Sequence, residues 1–293
     1  MTIKEAKEIC ARLECYDETL SEEDFFLYTE ALGFLIEKTR KPKYMVALGG
    51  VYYARKDFDL ALKYYEMAAD LGSEFAIEGL GYIWYYGRTG TVDYEKAFRY
   101  FSSLKHNIVA QYKVADMYKN GYYVEKDYEK YKRIIERLYE DVKDMENPFA
   151  PVPEIFTRLA SIRTKEGETD EAIRLYSEAK DVLAQRIEDN PFFGNLTIMK
   201  YLIKNLYELK APDLKNIDLF DLYELLTKPV KVTFMYDGEE FVVEAVEEDG
   251  EVIISFDGKW YRTTDDFFAK ASIDGLRLVV IGWGLYDFEV TNY

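Results

Sequence analysis

A repeat of 34 residues is the feature of this sequence that most restricts the folds open to it. Residues 76–101 align without a gap with residues 110–135. The matching positions are Leu80 and Val114, Gly81 and Ala115, Trp84 and Tyr118, Gly87 and Gly121, and the Asp-Tyr-Glu-Lys stretches at 93–96 and 127–130. A fixed period of this length is typical of architectures in which one supersecondary unit stacks on the next.

A related pattern with a shorter central turn lies on either side of this pair. Residues recur there at intervals of 1, 3, 9, 4 and 3. The upstream set is Leu48, Gly49, Tyr52, Ala61, Tyr65 and Ala68, and the downstream set is Leu159, Ala160, Arg163, Ala172, Tyr176 and Ala179. The spacing predicts two amphipathic helices per unit, in which small residues allow close backbone approach and large ones fill the gaps. One such pair cannot bury its own apolar face, so the units must stack.

These units resemble two related repeat families. The outer units look like tetratricopeptide repeats, and the middle units, which have four more residues between their helices, look like Sel-one-like repeats. The resemblance covers about residues 42–185. It implies a mainly α fold, a right-handed α–α solenoid of tetratricopeptide-like helix pairs. Tyr131 replaces a small residue of the pattern, so we expect the third unit to be distorted at its helix contact.

The predicted solenoid domain spans residues 1–211. Its parts are a degenerate N-terminal helix pair at 2–16 and 21–39, repeats at about 42–73, 74–107, 108–145 and 153–190, and a capping helix at about 195–210. Ser21 is the expected N-cap of the second helix, because Ser at that position satisfies a backbone N–H. The proline-rich stretch Glu146–Pro153 indicates a bend or a spacer between the third and fourth repeats.

Beyond residue 211 the pattern changes from helical spacing to alternation. Asp-Gly pairs, which are typical of hairpin turns, occur at 237–238, 249–250, 257–258 and 274–275. The predicted elements are strands near 230–236, 240–247, 251–256, 259–262, 276–282 and 286–291, with one helix near 264–271 capped by Thr264. Residues 212–293 are therefore predicted to form a small acidic α+β domain with an antiparallel sheet, and they match no family pattern.

The net charge of −17 is unevenly distributed. Residues 212–293 carry 18 acidic and 7 basic side chains, a net of −11, and residues 1–211 carry the remaining −6. Such a field repels phosphate backbones, so nucleic acid is not an expected ligand. The charge favours a basic partner, although an acidic surface also serves solubility alone.

No stretch approaches the roughly 18 consecutive apolar residues typical of a membrane span. The first residues also lack the apolar run of a signal peptide, since Lys and Glu recur through them. Cys10 and Cys15 lie off a common helix face, so no disulfide is expected between them. These features predict a cytoplasmic protein without a membrane partner and leave its oligomeric state open.

The first helix of each repeat supplies the candidate binding residues. In tetratricopeptide-like solenoids this helix lines the concave face, where a peptide or helix of a partner usually binds. Carried over by register, the positions are Tyr53 from the first repeat, Tyr82, Tyr85 and Tyr86 from the second, Tyr112, Asp116, Lys119 and Asn120 from the third, and Arg158 and Lys165 from the fourth. Tyrosine offers a large contact area and a hydroxyl at low entropic cost. Alternatively, these tyrosines pack between repeats or against a terminal helix.

No residue pattern supports a named reaction. His106 is the single histidine, so no second histidine can share a metal with it. The consecutive acids at 247–249 indicate a solvated turn, whereas acid–base catalysis needs carboxylates in different environments. Trp283, between two glycines, either presents an exposed ring or, as we favour, covers one end of the sheet. We expect no catalytic residue, cofactor or bound metal.

The predicted function is that of a non-catalytic interaction scaffold or adaptor that holds a partner peptide or helix on the concave face. Two alternatives stay open. In one, the acidic C-terminal domain binds or inhibits a basic protein while the solenoid serves as its scaffold. In the other, which we favour less, that domain holds an enzyme of an unrecognised type.

Overall fold

The structure is a computed structural model that describes residues 1–13, 20–145, 150–189 and 191–292. Its contacts divide the chain into two compact units, Met1–Asp141 and Val142–Tyr293. Cys15 and residues 146–149 of the predicted bend lie outside the described residues.

The first unit is built of consecutive helices joined by short turns. They are α1 (Ile3–Leu13), α2 (Glu22–Thr39), α3 (Pro42–Ala54), α4 (Phe58–Ala69), α5 (Glu74–Tyr86), α6 (Tyr94–Ser103), α7 (Ile108–Asn120) and α8 (Tyr128–Val142), the last of which ends at the first residue of the second unit. The predicted solenoid of helix pairs is confirmed. Tyr131 is fully buried. The distortion that it was expected to cause in the third helix pair stays a prediction.

Side-chain caps fix where several of these helices begin. Ser21 caps α2 as predicted, because its hydroxyl accepts a hydrogen bond from the Asp24 N–H at 3.1 Å. The same arrangement recurs at the starts of later helices, at Asp57, Ser73, Asp93 and Asn107. Each cap satisfies an N–H that has no partner within the helix. The repeated cap therefore keeps the repeats in one register.

Close packing of glycine against an aromatic ring joins the two helices of a repeat. A Cβ atom placed on Gly49 would lie 2.7 Å from the Tyr65 ring, and one on Gly81 would lie 2.5 Å from the ring of Phe101. Tyr65 and Phe101 are both buried. The small-and-large pattern of the sequence thus describes the helix contact itself.

We expect Gly81→Ala to destabilise the first unit by about 1–2 kcal/mol, because overpacking against Phe101 outweighs the gain in helix propensity. Gly33 is the matched control, since it lies inside α2 and a Cβ there meets no atom within 4 Å. Gly33→Ala should instead stabilise by about 0.5–1 kcal/mol. Urea denaturation of both variants measures the difference, and equal signs would contradict the packing argument.

The second unit combines helices with an antiparallel sheet. Its elements are α9 (Val152–Glu166), α10 (Thr169–Asp189), α11 (Phe193–Leu209), a 3-10 turn (Leu219–Asp221), α12 (Leu222–Leu225), β1 (Val230–Tyr236), β2 (Glu239–Glu248), β3 (Glu251–Phe256), β4 (Lys259–Tyr261), α13 (Thr264–Lys270), β5 (Ser272–Ile273), β6 (Leu276–Arg277), α14 (Leu278–Ile281), a 3-10 turn (Gly282–Gly284) and β7 (Tyr286–Asn292). Five strands form one sheet in the order β4-β3-β2-β1-β7, and β5 pairs with β6. The predicted antiparallel sheet is confirmed.

Three local predictions in this unit are wrong. The stretch 276–282 was expected to be one strand, but only Leu276–Arg277 is extended and α14 follows. Periodicity cannot separate a short buried helix from a strand in such an apolar run. The cap of α13 is Thr263, which accepts from the Asp266 N–H, rather than Thr264. Trp283 is 77% exposed and does not cover the sheet end.

An ion-pair network links α10 to the segment that leads into the sheet. Lys180 Nζ lies 2.9 Å from Asp218 Oδ2 and 2.6 Å from Asp221 Oδ1. Burial alone would lower the pKa of Lys180, but the two neighbouring carboxylates outweigh it, so the pKa is raised. Helices α9–α11 and the sheet therefore belong to one compact unit. The domain boundary at 211/212 stays a prediction, which rests on the change from helical spacing to alternation in the sequence.

A candidate binding face built from tyrosines

Tyrosines of α5 form the centre of the candidate site. Tyr85 and Tyr86 follow Tyr82 by three and four residues, so all three side chains project from one side of the helix. The ring centroids of Tyr85 and Tyr86 lie 4.9 Å apart, and the Tyr82 ring is stacked 6.1 Å from that of Tyr86. The helical register carries these three predicted residues into one aromatic layer.

A hydrogen bond joins this layer to the next repeat. The hydroxyl oxygens of Tyr82 on α5 and Tyr112 on α7 lie 3.0 Å apart. Burial raises the pKa of Tyr82 well above its ordinary value, and the neighbouring Tyr112 and Glu78 raise it further. The hydroxyl of Tyr82 is therefore neutral at physiological pH.

Lys113 is a central residue of this cluster that the sequence analysis missed. Its side chain is buried, with 5% exposure, and its Nζ donates a hydrogen bond to the Tyr86 hydroxyl at 2.6 Å. The same Nζ lies between 4.9 and 5.5 Å from the ring centroids of Tyr82, Tyr85, Tyr86 and Tyr112. A buried ammonium ion is costly unless it is compensated. Here aromatic faces and a hydroxyl compensate it.

Arg88, also missed, connects the first repeat to the same cluster. Its guanidinium lies 4.7 Å from the Tyr86 ring centroid, and its Nε donates to the Tyr53 hydroxyl at 3.2 Å. Gly87 makes this possible, because it ends α5 in the left-handed conformation at φ 59°. A Cβ on Gly87 would also lie 2.9 Å from the backbone N of Val92. We call Tyr53, Tyr82, Tyr85, Tyr86, Tyr112, Arg88 and Lys113 together the tyrosine face.

Exposure differs widely across the tyrosine face. Tyr86 is 44% exposed, whereas Tyr112 is only 4% exposed. Tyr85 is half-buried and also packs edge-on against the rings of Tyr94 and Tyr122. Part of the cluster thus joins one repeat to another, as the alternative interpretation expects, while Tyr86 stays partly accessible to solvent.

The other predicted residues have different surroundings. Asp116 is 8% exposed, and its backbone carbonyl accepts a hydrogen bond from the exposed Asn120 side chain at 2.8 Å. Lys119 Nζ lies 5.2 Å from the Tyr131 ring centroid. Arg158 and Lys165 lie on α9 in the second unit, where Arg158 Nη1 donates to the Glu154 carbonyl at 2.7 Å and Lys165 is exposed. The structure thus brings five of the ten predicted residues together in the tyrosine face.

The His, Cys, Asp and Glu side chains of the described part of the chain bear on whether it could hold a metal. No group of three or more His, Cys, Asp or Glu residues is arranged there to hold a metal ion. His106 is exposed in the turn before α7. Of the helices in the described ranges, none is long and apolar enough to cross a membrane.

The stacked helix pairs with their glycine–aromatic contacts define an α-helical repeat protein that also carries an antiparallel sheet. Residues 44–73, 75–104 and 108–130 match the family model for the Sel1 repeat, and residues 156–190 match a tetratricopeptide repeat model. The predicted recognition is confirmed, although the first repeat matches the Sel1 model rather than the tetratricopeptide one. The C-terminal region matches no family model.

Two solved structures were matched to the chain, at different degrees of similarity. A Sel1 repeat protein from Oxalobacter formigenes shares 21% identity at a TM-score of 0.51, over 76% of this chain and 85% of that one. The protein c5321, a protective antigen present in uropathogenic Escherichia coli strains displaying an SLR fold, shares 15% identity at a TM-score of 0.25, over 73% of this chain and 69% of that one. No curated protein matches the chain. The first likeness supports the repeat fold.

Proposed function

We propose that the chain is a non-catalytic adaptor that captures a peptide or helix of a partner protein on the tyrosine face, on the concave side of the repeats. Sel1 and tetratricopeptide repeats generally mediate protein–protein interaction. The proposal rests chiefly on one observation: Tyr86 is 44% exposed and is held in place by Lys113 and Arg88. A location in the cytoplasm remains a prediction from the sequence.

The physical basis is preorganisation. Tyr86 is bound through its hydroxyl to Lys113, while the Arg88 guanidinium covers its ring. Its side chain therefore loses little further freedom when a partner packs against it. A rigid tyrosine with a large exposed area is typical of the residues that dominate binding energy. Asn120, exposed at the end of α7, adds a polar group for a partner backbone.

The test uses the full chain as bait in cells that produce it. We expect Tyr86→Ala combined with Asn120→Ala to weaken binding of the main captured protein by tenfold or more, because truncation of a binding hot spot costs about 2 kcal/mol. Calorimetry with that purified partner measures the change. The variant should keep the helical circular dichroism of the parent chain.

Phe75→Ala is the matched control. Phe75 is 76% exposed and lies on the same helix as Tyr86, eleven residues earlier, or roughly 16 Å along its axis. This variant removes an exposed aromatic ring without touching the tyrosine face, so its affinity should equal that of the parent. Unchanged affinity in the double variant, or equal losses in both, would remove the tyrosine face as the binding site.

A further inference from the structure

The side of the five-stranded sheet that faces solvent is an unusual surface of the second unit. Successive strand residues point to opposite faces, and on one face the rings of Phe234, Phe256 and Phe267 form a core. The strand register puts six apolar residues on the opposite face, which we call the outer sheet face: Met235, Val242, Val246, Ile253, Trp260 and Tyr286.

These apolar side chains are accessible. Trp260 is 60% exposed, Tyr286 is 46% exposed and Val242 is 37% exposed. Some are direct cross-strand neighbours, because Val246 pairs with Ile253 and Met235 pairs with Tyr286. An antiparallel sheet with one wet face usually carries polar residues there. The register divides them into two groups, because the cross-strand row of Ser255, Glu244 and Lys231 separates Val246 from Val242. Exposed apolar groups on such a face are typical of an interaction site.

Carboxylates lie between and beside these apolar groups. The register places five glutamates and a single lysine on the outer sheet face: Glu240, Glu244, Glu248, Glu251, Glu289 and Lys231. Glu248 and Glu251 stand directly opposite each other on β2 and β3. Like charges at such a cross-strand pair destabilise a sheet. The arrangement costs stability in the isolated chain and becomes favourable when a cation lies between the two glutamates.

We infer that the outer sheet face is a docking surface for a partner protein with a basic surface. Lysine or arginine side chains of the partner would contact the glutamates, and its apolar side chains would cover Trp260 and Val242. A non-obligate protein interface combines apolar and polar contacts in this way. This site is separate from the tyrosine face, so either proposal can fail alone.

Site-specific photo-crosslinking of the full chain tests the inference. Trp260→p-benzoylphenylalanine places the probe in the outer sheet face, and Trp283→p-benzoylphenylalanine is the matched control because Trp283 is also exposed, at 77%, but lies in a turn outside it. Irradiation in cells that produce the protein should crosslink position 260 to a protein of net positive charge. The yield of this adduct should be at least tenfold higher than the yield at position 283. Salt at about 0.5 M should prevent it in lysates, since screening weakens such contacts.

Reversing the charge of glutamates on the outer sheet face is the second test of the inference. Glu240→Lys, Glu248→Lys and Glu289→Lys together should reduce the adduct at 260 at least tenfold. Asp170→Lys, Asp181→Lys and Glu208→Lys change the net charge equally at exposed helix positions of the same unit and should leave it unchanged. The inference would be overturned by equal adduct yields at positions 260 and 283, or by an adduct that persists after charge reversal. It would also be overturned if the crosslinked protein were acidic or a second copy of this chain.

Discussion

Replacing Glu154 by alanine is expected to lower the free energy of unfolding of the second unit by about 3–5 kcal/mol. The Arg186 guanidinium donates to Glu154 Oε1 at 2.8 Å and to the Ala150 carbonyl at 2.7 Å. The side chains of Arg186 and Glu154 are only 8% and 12% exposed. Without the carboxylate, the buried guanidinium loses its close contact with the Glu154 charge, and this accounts for the large penalty.

Two controls separate this cause from a simple loss of contacts. Glu154→Leu combined with Arg186→Met removes both charges together, and it should be neutral or stabilising because no desolvated charge remains. Glu178→Ala breaks the half-exposed pair with Arg174, and its effect should stay below about 1 kcal/mol. A double variant as unstable as Glu154→Ala would contradict the charge argument.

Urea denaturation followed by tryptophan fluorescence measures these effects. The chain has three tryptophans, of which Trp84 lies in the first unit. A Trp84→Phe background leaves Trp260 and Trp283, both in the second unit, as reporters. This choice matters because the two units need not unfold in a single transition, and one free energy would then be undefined.

The repeat architecture could be predicted because the two helices of each repeat contact each other through residues that are close in the sequence. Gly81 and Phe101 are 20 residues apart in one unit, and their close approach follows from the helix-pair pattern. The hairpins could be predicted equally well, because Asp-Gly pairs favour the positive φ that such turns require. The Asp and Gly at 237–238 and 249–250 adopt it. Local chemistry decided both features.

The binding cluster was only partly predictable because it depends on side chains from different repeats. Register identified the tyrosines, but nothing local shows that Lys113 reaches Tyr86, 27 residues earlier. One signal was present in the sequence: Lys113 directly precedes Val114 and Ala115, which match Leu80 and Gly81 of the preceding repeat. In the structure residues 112–117 are all buried. A lysine inside such a run indicates a partner elsewhere in the fold.

Phe101→Ala is the corresponding large effect in the first unit, with an expected loss of about 3–5 kcal/mol from the cavity that it leaves. Phe101 is fully buried, and its ring centroid lies 5.6 Å from that of Tyr82 and 6.3 Å from that of Tyr85. The same change should therefore also weaken partner capture on the tyrosine face. Urea denaturation reported by Trp84, in a chain with the other two tryptophans replaced by phenylalanine, measures the loss.

The sharper form of this prediction is a double-mutant cycle with Gly81. The Cβ of alanine at position 81 would collide with the Phe101 ring, so the collision disappears once that ring is removed. Gly81→Ala should destabilise the parent chain but stabilise the Phe101→Ala chain by up to about 1 kcal/mol, because only the gain in helix propensity remains. Additive effects would mean that the two residues are not in contact. The glycine–aromatic packing described for the first two repeats would then lose its basis, and so would the placement of Tyr82 and Tyr85 beside Phe101.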